Sequence, residues 1–352
     1  MRIGIVNDLM MAREALRRAV ASVPEHQVAW LARDGAEAVE RAQADCPDLI
    51  LMDLIMPVVD GVEATRRIMA RCPCPIVIVT SSVSGHLGKV YEAMGLGALD
   101  AVDTPELGVT GDLAGARMLL EKIETIAKLT GRAPRITLSV AKPSLPPVRS
   151  EVAESWPLVV IGSSTGGPAA LAEILAHVPD SRDWSTVIVQ HLDLAFFPGL
   201  AAWLSERIGR RVDLIEPGDR PLPGKILLAS TADHLVLDES RRLQYVAEPV
   251  AMPFRPSVDV FFESVARHWP EPGVAALLTG MQRDGALGLL ALRRTGWLTI
   301  AQDQATCVVW GMPKAAVEIG AADQVLPLTE IARAITERVR DRSHRLPGAP
   351  RR

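Results

Sequence analysis

The sequence predicts an α/β protein of two domains, each built around a mainly parallel sheet, with a linker between them. The chain has 352 residues, enough for two domains, and 48% of them are hydrophobic, which supplies apolar surface for two cores. Short apolar runs alternate with amphipathic helical patterns in two separate series. A stretch that is rich in proline and has no sustained period separates the two series.

The first series, residues 1–128, predicts a doubly wound domain with a five-stranded parallel sheet. Each apolar run is followed by an amphipathic helix, which favours a sheet covered on both faces. Because ligands of such sheets bind at the carboxyl ends of the strands, the residues that follow the strands are the functional candidates. The predicted strands are RIGIV, QVAWLA, DLILMD, PIVIVT and LDAVD.

Residues 129–155 are predicted to be a linker, extended in part by its prolines, and residues 343–352 a disordered tail. The second series, residues 156–342, predicts a mainly parallel sheet. Three strand-like runs without helices between them, KILLA, HLVLD and LQYVA, predict a small antiparallel insertion. The other predicted strands are LVVIG, TVIVQH, VDLI, VAALLTG, LTIA and QVLPL.

Composition narrows the class of protein. The net charge is −4 without a long basic run, which argues against a nucleic-acid partner. The chain has no apolar stretch of about 18 residues to span a bilayer, and its N-terminal apolar run is too short for a signal peptide, so we expect a cytoplasmic protein without membrane insertion. The four cysteines form no CxxC pair, which favours reduced, unligated thiols.

In the first domain, polar residues follow three of the predicted strands. Asp8 follows the first strand, Asp53 the third and Thr80 the fourth, so all three are expected at one edge of the sheet. Carboxylates there suit Mg²⁺, and the Thr80 hydroxyl suits a bound phosphoryl oxygen. On spacing alone, an acid after a strand is equally a helix N-cap.

The segment LMDLIMPVVDGVEATRRI around Asp53 resembles the phosphoacceptor region of response-regulator receiver domains, and the resemblance covers residues 1–125. It implies that Asp53 is phosphorylated, that Asp8 and Asp53 bind the Mg²⁺ needed for this reaction, and that Thr80 is the switch hydroxyl. Two departures are Asn7, where receivers usually have a second acid, and Thr104, where they have a lysine before the proline. A neutral threonine cannot supply the lysine's charge to a phosphoryl group.

In the second domain, the turn Gly162–Gly166 reads GSSTG and fits the G-x-S-x-G pattern between a strand and a helix. A serine on such a turn projects toward the helix N-terminus, whose free N–H groups stabilise an oxyanion. Two other readings stay open on the motif alone. Ser163 or Ser164 could cap the helix, or the glycines could cradle a phosphate, although the turn is neither GxGxxG nor a P-loop.

A nucleophilic serine needs a base, and the base needs an orienting acid. Of the seven histidines, only His191 directly ends a strong apolar strand, the one after the serine turn, so it is expected at the same sheet edge. Asp284 follows VAALLTG at a turn before a helix, where an N-cap is the alternative role. The order Ser164, His191, Asp284 differs from that of α/β-hydrolases, which argues against that fold.

Five segments of the second domain together resemble the CheB family of chemotaxis-type protein-glutamate methylesterases, which combine a receiver, a linker and a catalytic domain. The resemblance implies that Ser164 is the nucleophile, His191 the base and Asp284 its partner, with oxyanion donors on the backbone near Thr165 and Met281 and no cofactor for the esterase. Two departures lie near this chemistry: Gln282, where glycine is usual, and Phe254, where histidine is common. The segments are VVIGSSTGGPAAL, VIVQHLD, RPSVDVFFESV, LLTGMQRDGALG and TIAQDQATCVVWGMPKAAVEIG.

The resemblance implies hydrolysis of γ-glutamyl methyl esters on the cytoplasmic helices of a methyl-accepting chemoreceptor, and in some members deamidation of glutamines. The receiver would block the site until a CheA-type histidine kinase causes phosphorylation of Asp53. Asn7 and Thr104 resemble the WspF branch of the family, which adjusts a receptor complex controlling a diguanylate cyclase in surface sensing.

Two other functions stay open at this point. Gln282 and the altered receiver site also fit a regulatory module that binds receptor or kinase without hydrolysis. A hydrolase of small esters or amides is the other alternative.

Overall fold

The computed structural model describes residues 1–80, 87–107, 113–114, 116–129, 156–180, 183–192, 194–250, 252 and 254–343. Residues 130–155 of the predicted linker and residues 344–352 of the predicted tail lie outside this set. Within it, no helix is both long enough and apolar enough to cross a membrane.

The N-terminal domain has the predicted five-stranded parallel sheet, with the strand order β2-β1-β3-β4-β5. A short antiparallel pair of two-residue strands, β6 and β7, was not predicted. The strands are β1 (Arg2–Val6), β2 (Gln27–Ala32), β3 (Leu49–Met52), β4 (Ile76–Thr80), β5 (Asp100–Asp103), β6 (Glu106–Leu107) and β7 (Leu113–Ala114). The helices are α1 (Met10–Ala21), α2 (Gly35–Ala44), α3 (Gly61–Arg71), α4 (Leu87–Gly95) and α5 (Ala116–Leu129).

Local chemistry explains these elements. Every residue of β3 and β4 is buried, as the continuous apolar runs require of central parallel strands. Asp34 caps α2 and Asp60 caps α3, each by accepting a hydrogen bond from the backbone N–H three residues on. The acid that follows β3, Asp53, caps neither helix.

The C-terminal domain has a seven-stranded sheet in the order β10-β11-β9-β8-β14-β15-β16, in which all the pairings are parallel. Its strands are β8 (Leu158–Ser163), β9 (Ser185–Gln190), β10 (Val212–Leu214), β11 (Ile226–Leu228), β12 (His234–Leu237), β13 (Leu243–Val246), β14 (Val274–Leu277), β15 (Leu298–Gln302) and β16 (Gln324–Leu326). Its α-helices are α6 (Gly167–His177), α7 (Phe197–Ile208), α8 (Val258–His268), α9 (Ala286–Arg294), α10 (Met312–Glu318) and α11 (Leu328–Ser343), and a 3-10 turn (Leu194–Phe196) precedes α7.

The predicted antiparallel insertion is smaller than expected. The run KILLA, which the sequence analysis assigned to it, forms β11 and pairs in parallel with β9 and β10 in the main sheet. All three residues of β11 are buried, which suits a central strand covered on both faces. Only β12 and β13 form the antiparallel hairpin.

The two domains contact each other through α4 of the first domain and α7 of the second. The buried hydroxyl of Tyr91 donates a hydrogen bond to the Phe196 carbonyl at 2.6 Å, and its ring stacks on Trp203 with centroids 5.7 Å apart. A backbone hydrogen bond of 3.3 Å also joins the Gly166 N–H, in the serine turn, to the Leu99 carbonyl just before β5. The first domain therefore lies directly against the turn that carries Ser164.

The close packing of α9 on α8 can be tested by substituting Gly288 in α9, with Gly88 in α4 as the control. A Cβ on Gly288 would lie 2.6 Å from the Phe262 Cβ and 2.9 Å from the Asp259 carbonyl oxygen, whereas a Cβ on Gly88 in α4 would meet nothing within 4 Å. We expect Gly288→Ala to lower the free energy of unfolding by about 1 to 3 kcal/mol, because the two helices must separate. The matched Gly88→Ala change should raise it by up to about 1 kcal/mol. Urea denaturation measures both, and equal effects would contradict the packing of α8 on α9.

Candidate active site

Three residues predicted from the sequence lie at one edge of the second sheet. Ser164 follows β8, His191 follows β9, and Asp284 lies in the loop between β14 and α9. Because β9, β8 and β14 are neighbouring parallel strands, their carboxyl ends open onto a common site.

His191 and Asp284 form a buried pair. The imidazole Nε2 lies 2.8 Å from the Asp284 Oδ2, and the side chains are 10% and 2% exposed. The Nδ1 of His191 is buried and has no hydrogen-bond partner among the described residues. An ionised Asp284 accepts from Nε2–H, so the tautomer it selects leaves a lone pair on Nδ1.

The N-terminus of α8 holds the Asp284 carboxylate. Its Oδ1 accepts from the Ser257 hydroxyl at 2.7 Å and the Asp259 N–H at 3.1 Å, and its Oδ2 accepts from the Val258 N–H at 2.7 Å. Burial would raise the pKa of Asp284, but the hydrogen bonds from His191, Ser257 and Val258 hold it below its usual range. The helix end therefore keeps this buried acid ionised.

The two serines of the turn have different environments. Ser163 is fully buried, and its hydroxyl donates to the Gln190 Oε1 at 2.6 Å. Ser164 is partly exposed, and its hydroxyl has no partner among the described residues. The backbone of Ser164 is fixed, since its N–H donates to the Thr279 carbonyl at 3.0 Å and its carbonyl accepts from the Gly167 N–H at 2.7 Å. Ser164 is thus the serine free to react.

Two backbone N–H groups beside Ser164 remain available for an oxyanion. Neither the Thr165 N–H nor the Met281 N–H donates a hydrogen bond to any described residue, although both residues are buried. The Ser164 N–H is already used. Thr165 begins the turn that leads into α6. The next residue, Gly166, has a φ of +78°, a backbone conformation that favours glycine. These N–H groups match the predicted donors, and their role stays a prediction.

Gln282 and Phe254, the two residues near the candidate site that depart from the family pattern, both affect the local structure. Gln282 adopts a φ of +62°, in the left-handed region where the family's usual glycine costs nothing and a side chain strains the backbone. Asp284 nevertheless keeps its full set of hydrogen bonds. The Phe254 ring stacks on His191 with centroids 4.8 Å apart and an interplanar angle of 7°, so it covers one face of the imidazole.

The candidate phosphoacceptor pocket lies at the carboxyl edge of the first sheet. Asp53 is buried, and its carboxylate accepts from the Asn7 Nδ2 at 2.9 Å and from the Leu54 N–H at 2.7 Å. Asn7 therefore replaces the charge of a second acid with an amide donor to the phosphoacceptor. Thr80 is buried at the end of β4, and its carbonyl accepts from the Thr104 N–H at 3.1 Å.

The donor set of this pocket fits Mg²⁺. Asp8 is exposed and follows Asn7, whose amide binds the buried Asp53, and magnesium is commonly held by one or two carboxylates together with water and phosphate oxygens. No group of three or more His, Cys, Asp or Glu side chains in the described part of the chain could hold a metal by itself. An ion here would therefore depend on the phosphoryl oxygens as well.

Sequence reasoning missed the residues that hold the triad. The Gln190 amide donates to the carbonyls of Ser164 and His191, both at 2.9 Å, and joins the serine turn to the histidine. Ser257 caps α8 and also binds Asp284. A glutamine at the end of a fully buried strand was the available signal for Gln190, because a buried amide must bond to something.

Comparisons with known proteins match both halves of the chain. Residues 159–335 match the CheB methylesterase family, and residues 3–106 match the response regulator receiver domain. A Pseudomonas aeruginosa protein named protein-glutamate methylesterase/protein-glutamine glutaminase 3 is 52% identical over 96% of this chain and 99% of its own. A Mesorhizobium japonicum protein named protein-glutamate methylesterase/protein-glutamine glutaminase is 53% identical over 96% of this chain and 98% of its own. The solved Thermotoga maritima CheB methylesterase catalytic domain is 35% identical, covering 52% of this chain and 99% of that one, with a TM-score of 0.49.

A serine-directed phosphonofluoridate distinguishes the two serines. We expect covalent labelling at Ser164, because its hydroxyl alone is free, and loss of labelling in Ser164→Ala. His191→Gln should slow labelling by about 100-fold or more, because the general base is lost. Ser163→Ala should still be labelled, more slowly, since Gln190 loses one anchor. Mass spectrometry of the labelled peptide identifies the modified serine, and a label on Ser163 would contradict this assignment.

Proposed function

Because the chain belongs to the CheB methylesterase family and carries a receiver domain, we propose that it hydrolyses γ-glutamyl methyl esters of methyl-accepting chemoreceptors under receiver control. The observation that carries the proposal is the buried His191 and Asp284 pair, whose unpartnered Nδ1 lies at the sheet edge that presents the Ser164 hydroxyl. Hydrolysis is favoured over a binding-only role, because Asp284 accepts all four hydrogen bonds despite the strained Gln282 beside it.

The residues support a two-step acyl transfer. The Ser164 Oγ attacks the ester carbonyl carbon while the His191 Nδ1 takes the hydroxyl proton, and Asp284 stabilises the imidazolium through Nε2–H. The N–H groups of Thr165 and Met281 stabilise the negative oxygen of the tetrahedral intermediate. The C–O bond to the methoxy group then breaks, His191 returns the proton, and methanol leaves an acyl-Ser164.

Water completes the reaction by the reverse proton route. His191 takes a proton from water, the resulting hydroxide attacks the acyl carbon, and the proton passes to the Ser164 Oγ as the glutamate carboxylate leaves. The same steps release ammonia from a glutamine amide, which fits the glutaminase part of the relatives' names.

The domain contact supports control by phosphorylation. The Leu99 carbonyl of the receiver accepts from the Gly166 N–H, one residue from the Thr165 donor, so a docked receiver occupies the substrate side of the turn. We propose that a CheA-type histidine kinase causes phosphorylation of Asp53 and that Thr80 responds to the phosphoryl group. Asp8 and Asp53 would hold Mg²⁺, which neutralises phosphoryl charge when bound. This arrangement implies a cytoplasmic enzyme, as do its proposed kinase and receptor partners.

Methanol release from a methylated cytoplasmic receptor fragment tests the activity. We expect release by the wild type, a fall of at least about 1,000-fold in Ser164→Ala, and stimulation by a phosphoryl donor that disappears in Asp53→Ala. Absence of release by the wild type under every condition would leave a binding module as the function. Equal turnover of a free small ester would favour a general hydrolase.

The stacking of Tyr91 on Trp203 between the two domains leads to a separate prediction. Trp203→Ala removes the ring on which Tyr91 stacks, so it should weaken docking and raise activity without donor several-fold toward the stimulated level. Trp156→Ala is the matched control, because it breaks the edge contact with Trp269 within the catalytic domain. An increase confined to Trp203→Ala, in the same methanol assay, supports inhibition by contact, and an unchanged basal rate contradicts it.

A further inference from the structure

Two buried carboxyl groups lie at the N-terminus of α8, and the proposed mechanism uses only one of them. Asp284 is 5% exposed and Asp259, in the first turn of α8, is 9% exposed. The Asp259 N–H donates to the Asp284 Oδ1 at 3.1 Å, and the Asp259 Oδ1 accepts from the Gly288 N–H at 2.7 Å. Asp259 thus links the two helices: its N–H binds the Asp284 carboxylate, and its own carboxylate binds the first turn of α9.

The two carboxyls are not equally supported. Asp284 accepts four hydrogen bonds, including one from the imidazole, whereas Asp259 interacts only with the backbone N–H groups of Gly288, at 2.7 Å, and Gly285 among the described residues. Burial and the neighbouring Asp284 charge raise the pKa of Asp259 to about 7. When two acids share one buried site, the better-supported group ionises and the other keeps its proton.

We infer that Asp259 is a positioning residue whose charge acts through Asp284 on His191: its ionised form strengthens the stabilisation of the imidazolium, and its protonated form relaxes it. The inference rests on the proposed function, because the imidazolium forms when His191 takes the proton of Ser164 or water. A second negative charge next to Asp284 increases the electrostatic attraction for the His191 imidazolium, because charges in a buried site are poorly screened. The rate should therefore follow the proton on Asp259.

The hydrogen bond to Gly288 does not by itself require a carboxyl at this position. The Gly288 N–H needs an acceptor, and the amide oxygen of an asparagine would supply one of the same shape without the cost of a buried ionisable group. What an aspartate adds is a negative charge, which the N-terminus of α9 favours. The neighbouring pair of Asp284 and His191 responds to the same charge.

Asp259 lies in the first turn of α8 and packs against the first turn of α9 at Gly288. His234 at the start of β12 is fully buried and accepts from the Ser257 N–H, so both ring nitrogens are occupied. The titratable and charged side chains that the contacts place near Asp259 are Asp284, its partner His191, Glu263 on α8, and His234 on β12, which binds the Ser257 N–H.

The test compares full-length wild type, Asp259→Asn and Glu263→Gln in methanol release from a methylated receptor fragment between pH 5.5 and 8.5. The ratio of kcat/KM in Asp259→Asn to that of wild type should fall about tenfold across this range, because only the wild type gains the second charge. Glu263→Gln, one turn further along α8, removes a negative charge that helps to raise the Asp259 pKa, so its profile should keep the rise of the wild type but at a lower pH. Parallel profiles for wild type and Asp259→Asn would overturn the inference and leave Asp259 a packing residue.

A second measurement does not depend on esterase activity. A raised folded pKa means that the native state keeps a proton which the unfolded chain loses, so the wild type loses stability as pH rises from about 4 to 7. The Tm of wild type relative to Asp259→Asn should therefore fall by roughly 5 °C between pH 5 and pH 8. A constant Tm difference would overturn the titration of Asp259. If the wild type released no methanol but the Tm difference changed as expected, the proposed function and the effect on rate would fail while the titration stood.

Discussion

The C-terminal domain depends on keeping one carboxylate ionised inside a protein core. Moving a bare carboxylate out of water is costly, and an acid in that position ordinarily takes up a proton. Asp284 avoids this because α8 directs two backbone N–H groups and the hydroxyl of its capping Ser257 at the carboxylate, and His191 supplies a fourth donor. The helix end is therefore as much a part of the candidate site as the side chains of Ser164, His191 and Asp284.

That requirement explains how the rest of the domain is arranged. The parallel sheet delivers Ser164, His191 and the Asp284 loop from three adjacent strands, but the strands alone do not determine the orientation of the side chains. Orientation comes from buried polar groups that join neighbouring segments, such as the Gln190 amide between the serine turn and the histidine. The close packing of Gly288 on Phe262 then fixes the distance between α8 and α9, and with it the position of Asp284.

The fold and the location of the candidate site could be predicted because they depend on patterns that a sequence displays directly. Continuous apolar runs predict buried parallel strands, and residues that follow such strands share an edge, which was enough to place Ser164, His191 and Asp284 at one edge of the sheet. KILLA was assigned to the wrong sheet because a three-residue strand is compatible with either pairing, and β12, the nearest strand along the chain, is not one with which it pairs. Gln190 and Asp259 were missed because their roles arise from contacts between distant segments, and one polar residue carries no periodic signal.

The contact between Leu99 and Gly166 joins two backbones, and neither side chain takes part in the hydrogen bond. Substitutions on the surface of either domain can therefore accumulate without removing it, as long as the loop before β5 and the glycine turn keep their paths. A contact of this kind tolerates evolutionary drift better than an ion pair, which a single mutation breaks. What makes the docking specific to this pair of domains must therefore come from the side chains around the bond, such as those of Tyr91 and Trp203.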